Sequence, residues 1–393
     1  MATPPPTPRA GDVRPGARHA PLHQVLVSRR AGGATQVALA IARAALRRGW
    51  PGLTWVPGPG PARDAVQRAQ LPHRAIPVEA TSTSDLRRLL ACGQLLAALV
   101  GRTPAVVHVH SAWMFGLIRP ALVATGARTV VHFHIDPEDG EIAWTLKRPP
   151  HQVVACARYI ADRVQGEVDR LGLRTRVTAV QNAVDLERFV PGDRAAARQE
   201  LGLGAPGRFV ALTLANLAPH KGQTIAIRAI HALARRGVDA ELWLAGEDRS
   251  GTGTYEQELR RLADELQVTE RVRFLGFRSD IARLLHASDV FLLPSAREGL
   301  PLSVLEAQAS AIPVVTSAIP GMLEIIQDGV NGFAVAGDDP AVYAERLQTL
   351  HRDAGVRSAM TDAAIRRVRQ EHAWHVFEDR MFGVYEEVAS RPS

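Results

Sequence analysis

The sequence predicts an α/β protein of two doubly wound lobes, each a parallel sheet covered by helices on both faces. Three observations carry that prediction. Short continuous apolar runs alternate with longer amphipathic stretches along nearly the whole chain, which is the pattern of strand–helix–strand units with parallel strands. The 393 residues, 46% of them hydrophobic, suffice to bury two separate cores. Turn-forming residues break the alternation near the middle, at Gln181-Asn182-Ala183-Val184-Asp185 and Phe189-Val190-Pro191, which marks a hinge. The expected organisation is a disordered tail at 1–21, rich in Pro, Ala and Arg, a first lobe over 22–185, a second over 186–372 and a closing helix within 373–393.

In the first lobe, His23 to Ser28 reads as a buried strand that runs into Gly32-Gly33 and a helix from Ala34 to about Arg48. Glycine lets backbone approach a ligand closely, so this loop suits a phosphate or acceptor, though a lone Gly-Gly serves a structural turn equally well. Strands near Leu53 to Val56, Arg74 to Pro77, Ala105 to Val109 and Thr129 to Phe133 follow. Helices at Ser84 to Val100 and about Phe115 to Thr125 lie between them. His110 and His134 then stand at strand carboxyl ends, where such sheets place ligands. Trp113 and Met114 are expected in the loop after His110. The acidic run from Asp136 to Glu141 is not diagnostic of a cation, because a Mg²⁺ site uses one or two protein carboxylates plus substrate phosphates. A strand at Val153 to Ala155, a helix from Tyr159 to Leu171 and a strand near Val177 to Val180 complete the lobe.

The second lobe opens with a strand at Phe209 to Leu214, then Asn216 to Gly222 and a helix to about Arg236. Lysine occurs only at 147 and 221, while arginine fills nearly every other basic position. A lysine just before a glycine-started helix points to a compact charge wanted near a phosphate, where a planar guanidinium fits less well. Alternation continues through Glu241 to Ala245, Thr254 to Leu266, Val272 to Leu275, Ile281 to His286 and Asp289 to Leu293.

That last strand leads into the most informative segment, Pro294 to Ala307. Pro301 fits a first helical position, and Leu302, Leu305 and Ala309 follow at helical spacing. The free amides and dipole of such a helix make an anion site at the sheet's carboxyl edge. Glu298 precedes the helix and Glu306 lies inside it, too far apart for a surface pair at three or four residues. Ionised carboxylates only accept hydrogen bonds and sugars offer donors, so carboxylates beside an anion site describe a nucleotide sugar. Taken alone, the pair also suits a loop carboxylate and a solvated helix residue.

The glutamate-x7-glutamate spacing resembles the signature of the large retaining glycosyltransferase family 4, whose members have the GT-B architecture of two Rossmann-like lobes facing across a cleft. The resemblance continues in order from about residue 22. It runs through Ala31-Gly32-Gly33-Ala34, His108-Val109-His110, Val131-His132-Phe133-His134, Gln181 to Asp185, His220-Lys221-Gly222, Phe274-Leu275-Gly276-Phe277 and Pro320-Gly321-Met322-Leu323-Glu324.

It implies retaining, metal-independent transfer from a nucleoside diphosphate sugar, with no cofactor, to a hydroxyl of a glycan, lipid or small molecule. It further implies that Glu298 holds sugar hydroxyls, Glu306 the ribose, and that His134 touches the donor sugar. Lys221, the amides around Gly299 and Leu300, Asn216 and the Gly32-Gly33 loop would surround the diphosphate. The region of Arg278 would hold the base through backbone, His110 and Trp113 would face the acceptor, and the closing helix near Val376 to Ala389 would return to the first lobe. Asn216 stands where many relatives have arginine, a gap Arg297 is placed to fill. Ala311 stands where glycine is common, and its methyl is expected to be a minor packing change. A nucleotide-sugar epimerase and a catalytically silent sugar-nucleotide-binding subunit share this architecture and stay open.

The net charge of +7 conceals an asymmetry: residues 1–185 carry 23 Lys and Arg against 12 Asp and Glu, and the remainder 24 against 28. No finger, basic-leucine or RNA-binding signature accompanies the basic half, so a nucleic-acid partner is not expected. An anionic acceptor or peripheral contact with an anionic membrane fits better, because Arg43, Arg47, Arg87 and Arg88 fall on amphipathic helices. Only Cys92 and Cys156 occur, which excludes a disulfide framework. No apolar run reaches bilayer length, and residues 1–21 lack the apolar core of a signal peptide. The expected location is cytoplasmic.

Overall fold

The computed structural model describes residues 19–26, 28–79, 84–101, 105–203, 207–248 and 252–390. Seven parallel strands form the first sheet: β1 (Leu22–Val25), β2 (Gly52–Pro57), β3 (His73–Ile76), β4 (Val106–Val109), β5 (Arg128–Phe133), β6 (Gln152–Ala155) and β7 (Arg176–Ala179). Their order is β3-β2-β1-β4-β5-β6-β7. Between them run α1 (Gly33–Arg47), α2 (Pro61–Arg68), α3 (Asp85–Leu99), α4 (Ala112–Ala124), α5 (Asp139–Leu146) and α6 (Arg158–Arg170). β4 and β5 are buried at every residue, as strands covered on both faces must be. α3 and α4 pack on Val107, Val109 and Val131, and α1 packs on Val106 and Val130 from the other side.

After α7 (Arg194–Leu201) comes the second sheet, again parallel: β8 (Phe209–Leu214), β9 (Ala240–Ala245), β10 (Val272–Gly276), β11 (Val290–Leu293), β12 (Val314–Ser317) and β13 (Phe333–Val335). Its order is β10-β9-β8-β11-β12-β13. Its helices are α8 (Gln223–Arg235), α9 (Thr254–Glu265), α10 (Ile281–Ala287), α11 (Leu302–Ala309) and α12 (Pro320–Leu323), followed by α13 (Pro340–Arg352), α14 (Ala354–Glu371) and α15 (Trp374–Ser390). α15 lies on the first lobe, where Phe377, Met381, Phe382 and Tyr385 join the cluster of Val37, Ile41 and Val106.

Strand order reverses between β1 and β4 in one sheet and between β8 and β11 in the other. Such switch points splay the following loops apart and leave a crevice beyond the strand ends. Gly32-Gly33 and His110 follow the first pair, Lys221 and Glu298 the second. Topology thus brings 221 and 298, distant in sequence, to one place.

Several expectations are corrected. α4 begins at Ala112, where the Ser111 hydroxyl accepts from the Met114 amide at 3.4 Å. Trp113 is therefore in a first helical turn rather than a loop, and Met114 is fully buried. Pro301 is extended, with ψ 123°, and caps α11 instead of opening it. α5 takes up the end of the acidic run, and Arg163 binds both Asp136 and Asp139, so those carboxylates are already partnered. Arg47, one of the four arginines on amphipathic helices, pairs with Glu378 of α15 at 2.6 Å with its side chain still 55% exposed. Residues 1–18 of the expected tail lie outside the described residues, as do 391–393, while His19 stacks on Trp50 with ring centroids 4.7 Å apart.

Ala311 adopts φ 60°, just past the end of α11 at Ser310. The missing glycine is therefore a backbone matter and not a packing one, because a Cβ clashes with its own carbonyl in the left-handed region. Ala311→Gly should stabilise the protein by about 0.5–1 kcal/mol, net of the extra freedom glycine gives the unfolded chain, measured by urea unfolding.

Candidate active site

β11 is buried throughout and gives way to Pro294. Gly222 sits against that end with φ 71°, and a Cβ there would fall 1.9 Å from the Pro294 carbonyl oxygen. Only glycine permits the contact, which draws the Lys221 turn onto the Glu298 loop. The Ala296 amide donates to the His220 carbonyl at 2.8 Å and ties the same two loops. Lys221 Nζ consequently reaches both oxygens of Glu298, at 2.7 and 2.8 Å. Ser295 Oγ, fully buried, donates to Glu298 Oε1 at 2.9 Å. The Glu298 side chain is 8% exposed and that of Lys221 20%. Each neutralises the other; removing one would strand a buried charge. Together they offer a cation for an anionic ligand and an acceptor for a hydroxyl.

The first lobe closes over this loop. A Cβ on Gly299 would lie 2.8 Å from the His134 carbonyl oxygen and 2.7 Å from Cys156 Sγ, so glycine is what lets the lobes touch. Tyr159 Oη donates to the Glu298 carbonyl at 2.6 Å, and Asn182 Nδ2 to the Leu300 carbonyl at 2.7 Å. The Glu324 carboxylate accepts from the amides of Arg158 and Tyr159, both at 2.8 Å, and from Gln181 Nε2 at 2.7 Å. A side chain of the second lobe thus caps α6 of the first, an anion at a helix N-terminus. Gly33 approaches Leu302 closely enough that a Cβ would touch its Cδ1 at 3.4 Å.

His134, Gly33, Gly299, Leu300, Lys221 and Glu298 are therefore gathered at one cleft. Glu306 lies inside α11, 8% exposed, and burial pushes its carboxyl up to about 7 against a weaker opposing pull from Arg188. Asn216 accepts from Gln223 Nε2 through its carbonyl at 2.9 Å. The Arg278 guanidinium is held by Asp280, with Nε 2.8 Å from Oδ1. Arg297 reaches Glu138 across the cleft at 3.5 Å. Trp113 is 48% exposed beside Trp144, with ring centroids 5.8 Å apart.

His110 needs correction as an acceptor-cleft residue. It is 3% exposed, with one ring nitrogen 2.9 Å from His134 Nε2 and the other 2.9 Å from Gln24 Oε1, so it works behind His134. Gln24, Tyr159 and Ser295 were not legible as site residues; a glutamine inside an apolar strand was the only signal for the first. His108, His110 and His132 hold ring nitrogens within 4.8 Å of one another. His110 has both ring nitrogens engaged, by His134 and Gln24, and His108 has one engaged by Tyr385.

Two family models match the chain: Glycosyltransferase Family 4 over residues 31–188, and Glycosyl transferases group 1 over residues 194–367. The chain belongs to glycosyltransferase family 4. Relatives of this member include the D-inositol 3-phosphate glycosyltransferase of Mycobacterium marinum, 37% identical over 72% of this chain and 58% of that protein. The protein of the same description from Salinispora arenicola is 34% identical over 72% of this chain and 64% of its own. The match thus spans about three fifths of these relatives' length. Among solved structures, Anabaena HepE, crystallised with UDP and glucose, superposes with a TM-score of 0.83 at 21% identity, over 94% of this chain and all of that one. The fold is that GT-B arrangement of two lobes.

The raised Glu306 pKa gives a signed expectation. A carboxyl whose folded pKa lies above its unfolded value stabilises most below about 4.5, and that contribution is lost as pH rises through 7. Glu306→Gln removes the cost of ionising a buried group. It should unfold at higher denaturant than the parent at pH 8, by as much as about 3 kcal/mol, with the difference gone at pH 4.

Proposed function

We propose that the protein transfers a sugar from a nucleoside diphosphate sugar to an acceptor hydroxyl with retention at the anomeric carbon, without metal or other cofactor. The observation that carries this reading is the buried Lys221–Glu298 pair at the switch point of the second lobe, opposite His134 of the first, in a family 4 chain. When donor enters, the Lys221 ammonium turns to the diphosphate while Glu298 accepts from sugar hydroxyls. The bond between the anomeric carbon and the phosphate oxygen breaks, with its electron pair leaving on the diphosphate. The acceptor oxygen bonds that carbon on the same face, and its proton passes to the departing phosphate oxygen. Lys221 and the first amides of α11 stabilise the charge that develops. Glu306 accepts from ribose hydroxyls, and contact between the lobes keeps out water that would hydrolyse the donor.

The bound UDP of HepE makes uridine diphosphate sugars the first donors to try, and the named relatives make D-inositol 3-phosphate the first acceptor. Purified protein incubated with nucleotide sugars should release nucleotide only when acceptor is present. Glu298→Ala and Lys221→Ala should each slow that release at least about a hundredfold, on the scale of losing one charged donor at a developing charge. Turnover without acceptor would point to the epimerase reading, and donor binding without turnover to the silent subunit.

We also propose a cytoplasmic protein that docks on anionic lipid through α3. Leu86, Leu89, Leu90, Leu96 and Val100 form an exposed stripe along the face opposite buried Ala91, Leu95 and Leu99, so α3 is apolar on both sides. An exposed apolar stripe of that length wants cover, and Arg87 and Arg88 on the same helix together with the basic first half of the chain favour an anionic bilayer. No helix among the described residues is long and apolar enough to cross a membrane, which suits docking in the interface. Leu86→Glu/Leu89→Glu should abolish co-sedimentation with phosphatidylserine vesicles while leaving the melting temperature within about 2 °C, since both side chains are solvated in the free protein.

A further inference from the structure

Four histidines crowd the carboxyl end of the first sheet on the face covered by α1 and α15. His108 and His110 alternate along and beyond β4, His132 and His134 along and beyond β5, and their rings stack, with centroids 4.1 Å apart in one pair and 3.8 Å in the other. Alternation places both pairs on one face of neighbouring strands. Only His134 reaches the cleft, where its carbonyl abuts Gly299.

The proton positions in this stack follow from a single fixed point. The Gln24 side chain contacts the Ala38 carbonyl at 3.1 Å, and a carbonyl only accepts, so the group facing it is the amide NH2. The Gln24 oxygen therefore points the other way, to a ring nitrogen of His110 at 2.9 Å, and that nitrogen, Nε2, must carry the hydrogen. A neutral imidazole has one N–H, which leaves His110 Nδ1 a bare lone pair. The next contact, His110 Nδ1 to His134 Nε2 at 2.9 Å, then requires the hydrogen on His134 Nε2. Burial keeps the rings neutral by lowering the pKa of both, that of His134 to about 3. The last atom of the chain, His134 Nδ1, is shielded from solvent and has no partner among the described residues.

We propose that Gln24 and His110 are positioning residues that hold His134 in one tautomer, Nε2 protonated and Nδ1 bare, so that it meets a ligand only as a hydrogen-bond acceptor. The partner of His134 is then a hydroxyl and never a phosphate oxygen, which has no proton to give. This rests on the transferase reading only for assigning that hydroxyl to the donor sugar. It accounts for a polar glutamine buried within β1, for a histidine with both nitrogens engaged behind His134, and for the orphaned nitrogen of the residue whose carbonyl abuts Gly299. It also makes His134 unable to donate to the leaving diphosphate, so that work falls to Lys221 and the α11 amides.

Long-range ¹H–¹⁵N correlation spectra of the full-length protein labelled in histidine decide the matter, with His134→Asn identifying the resonance. Across pH 6–8, His134 should show a protonated Nε2 and an unprotonated Nδ1. His110→Phe keeps a stacked ring but removes the acceptor, and Gln24→Leu removes the anchor; in each, His134 should become a mixture of tautomers. Affinity for the nucleotide sugar identified by the donor panel should fall about tenfold in His110→Phe, while affinity for its free nucleoside diphosphate stays unchanged. A His134 protonated on Nδ1 in the parent, or a tautomer unmoved by both substitutions in proteins that melt normally, would overturn the proposal. Because the spectra need no substrate, failure of the transferase reading would leave this readout intact. An equal loss of nucleoside diphosphate affinity would reduce His110 to a packing residue.

Discussion

The buried ion pair between Lys221 and Glu298 is the constraint the rest of the structure serves. Removing two charges from water costs several kcal/mol per ion, and a well-packed apolar pair in the same place would be as stable or more so. Stability therefore does not explain it. The pair is nonetheless surrounded by devices that hold it: Ser295 on one carboxylate oxygen, Ser317 on the Ser295 carbonyl, and Gly222 pressed against Pro294 to set the distance between the two loops. Such support is expected where charge is kept ready for a ligand, because preorganised groups need no rearrangement when reaction begins.

The same loop is also where the lobes meet, and Glu324 and His372 add further bonds across the boundary. Tyr159 binds the carbonyl of Glu298, Asn182 that of Leu300, and Gly299 rests on His134. Gly321 stacks on Gly299 so closely that a Cβ would lie 1.8 Å from its carbonyl oxygen, and Glu324, just beyond, caps α6. Opening the cleft has to release the backbone that carries Glu298, and closing it fixes that backbone from both sides. Lobe motion and carboxylate placement are mechanically one event, which is how closure couples to the exclusion of water.

The alternation of strands and helices was legible because buried parallel strands are short apolar runs that punctuation makes visible. The short helices α2, α5 and α7, eight residues each, escaped notice because two turns of helix give too little periodicity to stand out from a loop. Glu298, Lys221 and His134 could be singled out, since chemistry-bearing residues at strand ends have few structural uses. What lay behind them could not. His110 was placed correctly at a strand end, but its burial is decided in part by α15, whose Tyr385 hydroxyl lies 2.7 Å from the ring of neighbouring His108, 277 residues away. The absent glycine at Ala311 was noticed as a departure from the family pattern, and its cost was misread because φ is not written in a sequence.

Glu298 and Glu306 show how one residue type performs two tasks within a single segment. Glu298 lies against the Lys221 amine and the Ser295 hydroxyl, both of which donate to it. Glu306, one helix turn and more into α11, has only the distant field of Arg188 to offset its burial and titrates near neutrality. A carboxyl poised there gains most from a ligand that brings hydroxyl donors, because two donated hydrogen bonds replace the water it lost and pull it back to the ionised form. A diol bound at Glu306, as the proposed ribose would be, should therefore release a proton. The spacing read from the sequence marks both carboxylates, but only their surroundings, an amine for one and an apolar helix face for the other, divide the work between them.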